Sequence, residues 1–172
     1  SNDSRSEALP PDPSCIQIGT DDVVLDGNGY GVTAAGGQPE GSAGILLYDL
    51  DSEDTEPGLQ NVTVRNIQVS GWDAGLTSNS FDASGDQNVE VQDVVARNNG
   101  VGVWLRGTDL SVEDVRAVDN GDGMIFGLGS RGIVGRNLPL LSNDRNGVSL
   151  TEESDDITLT DLTVRENGQA GV

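Results

Sequence analysis

The sequence predicts an all-β solenoid, a coil of three short strands per turn whose turns stack into parallel sheets. Three observations carry this. From Cys15 onward the 172-residue chain repeats itself, with an Asn/Asp mark recurring 27, 21, 23 and 24 residues apart. Each unit holds three short runs in which Val, Ile and Leu alternate with Thr, Ser, Glu, Gln and Arg, the pattern of strands with one buried face. Tight polar turns such as Asn98-Asn99-Gly100, Asn120-Gly121 and Asn167-Gly168 recur only once per unit, too rarely to link antiparallel hairpins. The period is also too short for a propeller blade of ~40 residues.

The elements follow in order. Residues 1–14 are polar and carry Pro10, Pro11 and Pro13, which predicts a flexible arm ahead of a repeat domain over 15–172. No apolar run follows Ser1-Asn2-Asp3, so no signal peptide is read. In Cys15-Ile16-Gln17-Ile18 the alternation directs Cys15 inward as a buried thiol, and a lone cysteine allows no intrachain disulfide. Later units open with glycine and a first run: Gly44-Ile45-Leu46-Leu47, Gly75-Leu76-Thr77, Gly102-Val103-Trp104-Leu105, Gly123-Met124-Ile125-Phe126 and Gly147-Val148-Ser149-Leu150. A second run follows, as in Val62-Thr63-Val64 and Val89-Glu90-Val91, and a third, as in Ile67-Gln68-Val69 and Leu162-Thr163-Val164. Roughly six coils result, one for each glycine opening beyond the first run.

The recurring mark between the second and third runs is Asn66, Asp93, Asp114, Asn137 and Asp161. The chain must bend there. Asn and Asp tolerate left-handed backbone angles and bond to neighbouring backbone groups, so these five form a structural turn ladder.

Composition sets the chemistry. Lys+Arg is 9 against Asp+Glu 29, a formal net charge of −20, and every basic residue is arginine. A surface so acidic repels polyanions, which excludes nucleic acid as a partner. With no histidine, triad catalysis and imidazole metal sites are excluded; with no lysine, so are Schiff bases. No apolar run reaches the ~18 residues of a membrane span. Such charge is tolerated where molar salt shortens the Debye length to ~3 Å.

The residues Asp22-Val23-Val24-Leu25-Asp26-Gly27-Asn28-Gly29, Asn61-Val62-Thr63-Val64-Arg65-Asn66-Ile67 and the Asn-Gly-x-Gly openings resemble the right-handed parallel β-helix repeat proteins, most of all the NosD-like type of haloarchaeal surface and secreted proteins. The resemblance spans nearly all of 15–172. It implies a right-handed coil and an extracellular or cell-surface location. It also brings copper handling into view, but one Cys, Met124 at an inward position and no His make a poor copper ligand set.

On these residues the expected function is a non-catalytic surface, adhesion or filament module of a halophile that binds glycans or neighbouring proteins. The alternative is a polysaccharide lyase or glycoside hydrolase on the same scaffold. No catalytic residue is assigned. The outward positions of the first runs predict an exposed ligand strip of Leu46, Tyr48, Trp104, Arg106 and Ile125. Alternating carboxylates at Asp49, Asp51 and Glu53 make the candidate Ca²⁺ loop. Asn61-Val62-Thr63 matches the glycosylation acceptor pattern at Asn61. Gly171-Val172 reads as the opening of a further coil, so self-association through coil ends is the other expected partner mode.

Overall fold

The computed structural model describes residues 13–36, 40–48, 58–78 and 85–169. Among these, every regular element is a strand. The first coil carries β1 (Ser14–Ile18), β2 (Val24–Asp26) and β3 (Gly31–Thr33). The second carries β4 (Ala43–Leu47) and β5 (Thr63–Ser70). The third carries β6 (Ala74–Ser78), β7 (Asp86–Gln87) and β8 (Glu90–Arg97). The fourth carries β9 (Val101–Leu105), β10 (Gly107–Thr108), β11 (Ser111–Glu113) and β12 (Arg116–Val118). The fifth carries β13 (Asp122–Phe126) and β14 (Arg131–Leu141), and the sixth β15 (Val148–Leu150) and β16 (Asp155–Arg165).

One six-stranded sheet runs β1-β4-β6-β9-β13-β15, every neighbour parallel. The second sheet wraps the other sides of the coil through β2, β5, β8, β11, β14 and their neighbours, again parallel. The fold is therefore the all-β parallel solenoid that the repeat predicts. β1 begins at Ser14, one residue inside the expected arm, whose residues 1–12 lie outside those described.

The core is a set of apolar columns along the coil axis. Ile45, Leu76, Val103, Met124 and Val148 stack in register on the first sheet, each 1% exposed or less. Val64, Val91 and Val112 stack on the second. Each fully buried aliphatic side chain contributes roughly 1.5–3 kcal/mol, and a coil gains this only by resting on its neighbours. In the Val112 column, Gly135 stands where a side chain is expected; Leu159 and Leu138 fill its place, with a notional Cβ only 2.6 Å from Leu159 Cδ2.

The corners are more regular than the single Asn/Asp mark suggests. Asn66, Asp93, Asp114, Asn137 and Asp161 all have φ between 49° and 54°. Asn61, Asn88, Asp109, Gly132 and Asp156 repeat this positive φ five residues earlier in each coil. Gly71, Asn98, Asp119, Ser142 and Glu166 repeat it five residues later. One left-handed residue turns the chain without interrupting the ladder between coils: the Asp114 N–H donates to Arg136 O at 3.1 Å and the Asp119 N–H to Leu141 O at 3.2 Å. β5, β8, β14 and β16 run on through the corner where the sequence reads two runs, while β11 and β12 stop on either side of Asp114.

A second ladder is buried beside the corner that leads back to the first sheet. The Asn99 amide donates to Asn120 Oδ1 at 3.1 Å, Asn120 to Asn143 Oδ1 at 3.1 Å, and Asn143 to Asn167 Oδ1 at 2.9 Å. The same oxygens accept the backbone N–H of the preceding asparagine, each at 3.0 Å. Each amide also donates to the backbone one coil earlier, at Val69, Ala96, Ala117 and Leu140. The unit-opening glycines make room for it: a notional Cβ on Gly75, Gly102 or Gly123 would lie 2.4–2.5 Å from the next glycine's carbonyl and 2.8–3.0 Å from a ladder amide nitrogen.

Cys15 corrects a sequence expectation. It is exposed, while Ile16 and Ile18 face the core. Alternation on β1 puts Cys15 on the outward side with Gln17, opposite Ile16 and Ile18, so the inward reading of residue 15 has the wrong phase.

Candidate ligand-binding face

The outward face of the first sheet is built by registered strands. Leu46, Thr77, Trp104, Ile125 and Ser149 form one column, each in register with the next. Burial divides this column. Trp104 is 46% exposed, Ile125 is half-buried, and Leu46 is only 3% exposed. The predicted continuous apolar strip is therefore corrected at Leu46, whose side chain is covered rather than presented.

Tyr48 and Arg106 belong to the next column outward. Tyr48 is half-buried just after β4, and its N–H donates to Ile18 O at 2.9 Å. Arg106 is half-buried, and its backbone N–H donates to Ser78 Oγ at 2.8 Å. The Trp104 indole leans toward this column over Gly127: a notional Cβ there would sit 3.3 Å from Trp104 Nε1 and 3.1 Å from Arg106 Cβ. A Cβ at that rung would press the ring and the Arg106 side chain aside by a few tenths of an ångström.

On the other side, a cavity of about 120 Å³ opens between Leu46 and Trp104. Its cause is side-chain size. Thr77 separates the two large residues in the column, and Ala43 and Ala74, in register with each other, form the neighbouring column. Asp73 completes the rim; its Oδ2 accepts the Gly41 N–H at 3.0 Å. Sequence reasoning finds Trp104 but misses Ala43, Asp73 and Ala74. The available signal is their fixed offset, three or four residues before the outward column in each unit.

The other predicted sites fall as follows. The Ca²⁺ loop, Asp49, Asp51 and Glu53, lies outside the described residues. Among the described residues no group of three or more His, Cys, Asp or Glu is arranged to hold a metal. Met124 is fully buried in the core. Asn61 is an exposed corner; its amide donates to Asp22 Oδ1 at 2.9 Å, and its Oδ1 accepts from the Asn88 amide at 2.7 Å. The turn set Asn66, Asp93, Asp114, Asn137 and Asp161 lines the exposed edge of the coil, where the Asn137 amide donates to Asp114 Oδ1. Asp155 pairs with Arg131 at 3.3 Å, and the neighbouring Asp156 serves a corner. No described helix is long and apolar enough to cross a membrane.

Comparison with known proteins follows from this geometry. No curated protein matches the chain. A solved structure of QnrB1, a plasmid-mediated fluoroquinolone resistance protein, is 12% identical over 90% of this chain and 91% of that one, with a TM-score of 0.18, and supports no argument. The family described as the right handed beta helix region matches residues 43–172, which span the second coil to the last. The chain belongs to the right-handed β-helix family.

Proposed function

We propose that this β-helix is a non-catalytic, extracellular surface module of a halophile, and that it binds glycans through the Trp104 face. The observation that carries the reading is an indole left 46% exposed on a flat parallel sheet, beside a preformed cavity. Val24, Tyr30, Leu128, Val134 and Leu150 are also exposed, but Trp104 is the one of these large apolar side chains that stands at the wall of that cavity. An indole face stacks on the C–H face of a pyranose, and a rigid sheet holds it ready without an ordering cost. The net charge of −20 supports a salt-rich setting.

The test is titration of the whole chain with neutral and acidic oligosaccharides in molar KCl, followed by calorimetry. Binding that falls at least tenfold in Trp104→Ala supports the reading. Equal binding by the two proteins, or none by either, overturns it. Release of new sugar ends during the titration would instead establish the enzyme alternative.

A further inference from the structure

We infer that the ligand of the Trp104 face is an uncharged N-acetylated sugar whose acetamido group enters the cavity between Leu46 and Trp104. This rests on the glycan-binding reading of that face and adds the chemistry that selects among glycans.

Size comes first. The cavity is about 120 Å³, room for about four waters at ~30 Å³ each. An acetamido group has four heavy atoms and fits; a whole pyranose ring does not. The ring must then stay outside, where Trp104 offers a face at the cavity wall.

The lining selects the group. Ala43, Leu46 and Ala74 give an apolar interior suited to a methyl. Three polar side chains reach the lining: the Ser42 hydroxyl, which accepts the Asp73 N–H at 3.4 Å, and two that offer acceptors. Asp73 is a carboxylate, and the Thr77 hydroxyl already donates to Ser78 O at 3.3 Å, which leaves its lone pairs available. A group that presents one N–H donor beside one methyl satisfies both halves. A hydroxymethyl arm would leave the apolar half in contact with its hydroxyl or with water.

Charge narrows the ligand further. Asp73 at the rim and the net charge of −20 disfavour uronate and other acidic sugars. A free amino sugar would be drawn to Asp73, but that attraction is screened in molar salt and leaves the methyl-lined interior empty.

The experiment compares three tetramers of one ring type on the whole chain in molar KCl: N-acetylglucosamine, glucose and glucosamine. The N-acetylated tetramer is expected to bind at least tenfold tighter than the glucose tetramer. Ala74→Leu, which fills the cavity, should abolish that preference. Thr77→Val, which keeps the side-chain shape, should reduce the preference severalfold even if the leucine variant fails to fold. Equal affinity for the three tetramers, with loss of all binding in Trp104→Ala, overturns the acetamido inference and leaves the face intact. Tighter binding of glucosamine than of the acetylated tetramer also overturns it. No binding by any tetramer overturns both readings.

Discussion

Trp72 does for Val32 what Asn99 does for Val69. The Trp72 indole N–H donates to Val32 O at 3.3 Å, and the Asn99 amide donates to Val69 O at 3.3 Å one rung on. Val32 and Val69 are themselves in register. Asn99 Oδ1 in turn accepts the Trp72 backbone N–H at 3.1 Å. The tryptophan thus closes the asparagine ladder at the second coil, supplying a donor where an amide would otherwise stand.

The ladder predicts an ordered pair of losses. Asn120→Ala strands two Asn99 donors and the Ala96 carbonyl, all buried. At about 1–3 kcal/mol for each buried orphan, the loss should be about 3 kcal/mol or more. Trp72→Phe trims the indole to a phenyl ring and drops one part-buried hydrogen bond, for a loss of about 1–2 kcal/mol. Urea unfolding in molar salt should give this order; equal losses would show that the ladder does not act as a unit.

Glycine substitutions separate space from backbone angle. A Cβ on Gly102 would lie 2.5 Å from Gly123 O and 3.0 Å from Asn120 Nδ2, and neither can withdraw without breaking the ladder. Gly102→Ala should therefore cost about 3 kcal/mol, the upper end for overpacking. Gly31→Ala meets nothing closer than 3.4 Å and should change stability by less than about 1 kcal/mol. Thermal unfolding of the two variants checks the contrast.

Salt should govern folding. With 29 acidic and 9 basic residues, repulsion acts across the whole coil at low ionic strength. The Debye length falls from ~30 Å at 0.01 M salt to ~3 Å at 1 M. The far-ultraviolet β-signal and the melting temperature should rise together over that range. An identical rise in millimolar Ca²⁺ at low salt, abolished by EDTA, would show specific cation binding in place of screening.

Asp26 gives a signed pH dependence. Its carboxylate accepts the Asn28 N–H at 2.9 Å, the Asn66 amide at 3.1 Å and the Arg65 guanidinium at 3.0 Å. These hold its pKa below the usual 3.8, the Asn28 backbone bond contributing most. A carboxyl lowered in the folded state stabilises the fold above the unfolded value and loses that effect as pH falls through the folded one. The melting difference between the wild type and Asp26→Asn should thus be constant near neutral pH and shrink from about pH 4 downward. A difference that grows with acid would contradict the assignment.

Much of this was open to reading from residues alone. Alternation and period locate the strands because a side chain on a parallel rung faces either the core or the water, and Val, Leu and Thr report which. Hence Ile45, Leu76, Val103, Met124 and Phe126 are legible as core, and Trp104 as surface. The corners are half legible. Asn66 and its equivalents stand out because they recur as Asn or Asp, whereas Gly132, Ser142 and Glu166 do the same turning with other side chains.

The sequence by itself determined the coil, its strands and its charge, because strand alternation depends on neighbours two residues apart, the coil shows in the repeat period, and charge is composition. Only the tertiary structure decided what lies between coils. Asn99, Asn120 and Asn167 read as turn residues, yet stacking joins them through Asn143 into one ladder, since each amide needs partners 21 to 24 residues away. Leu46 reads as exposed but is buried, though Trp104 two rungs on in the same column is not; Cys15 reads as buried but is exposed, opposite Ile16 and Ile18. The cavity beside Trp104 arises from the same cause. It needs small residues at Ala43, Ala74 and Thr77 on two successive rungs, and that adjacency exists only once the chain has wound around its axis.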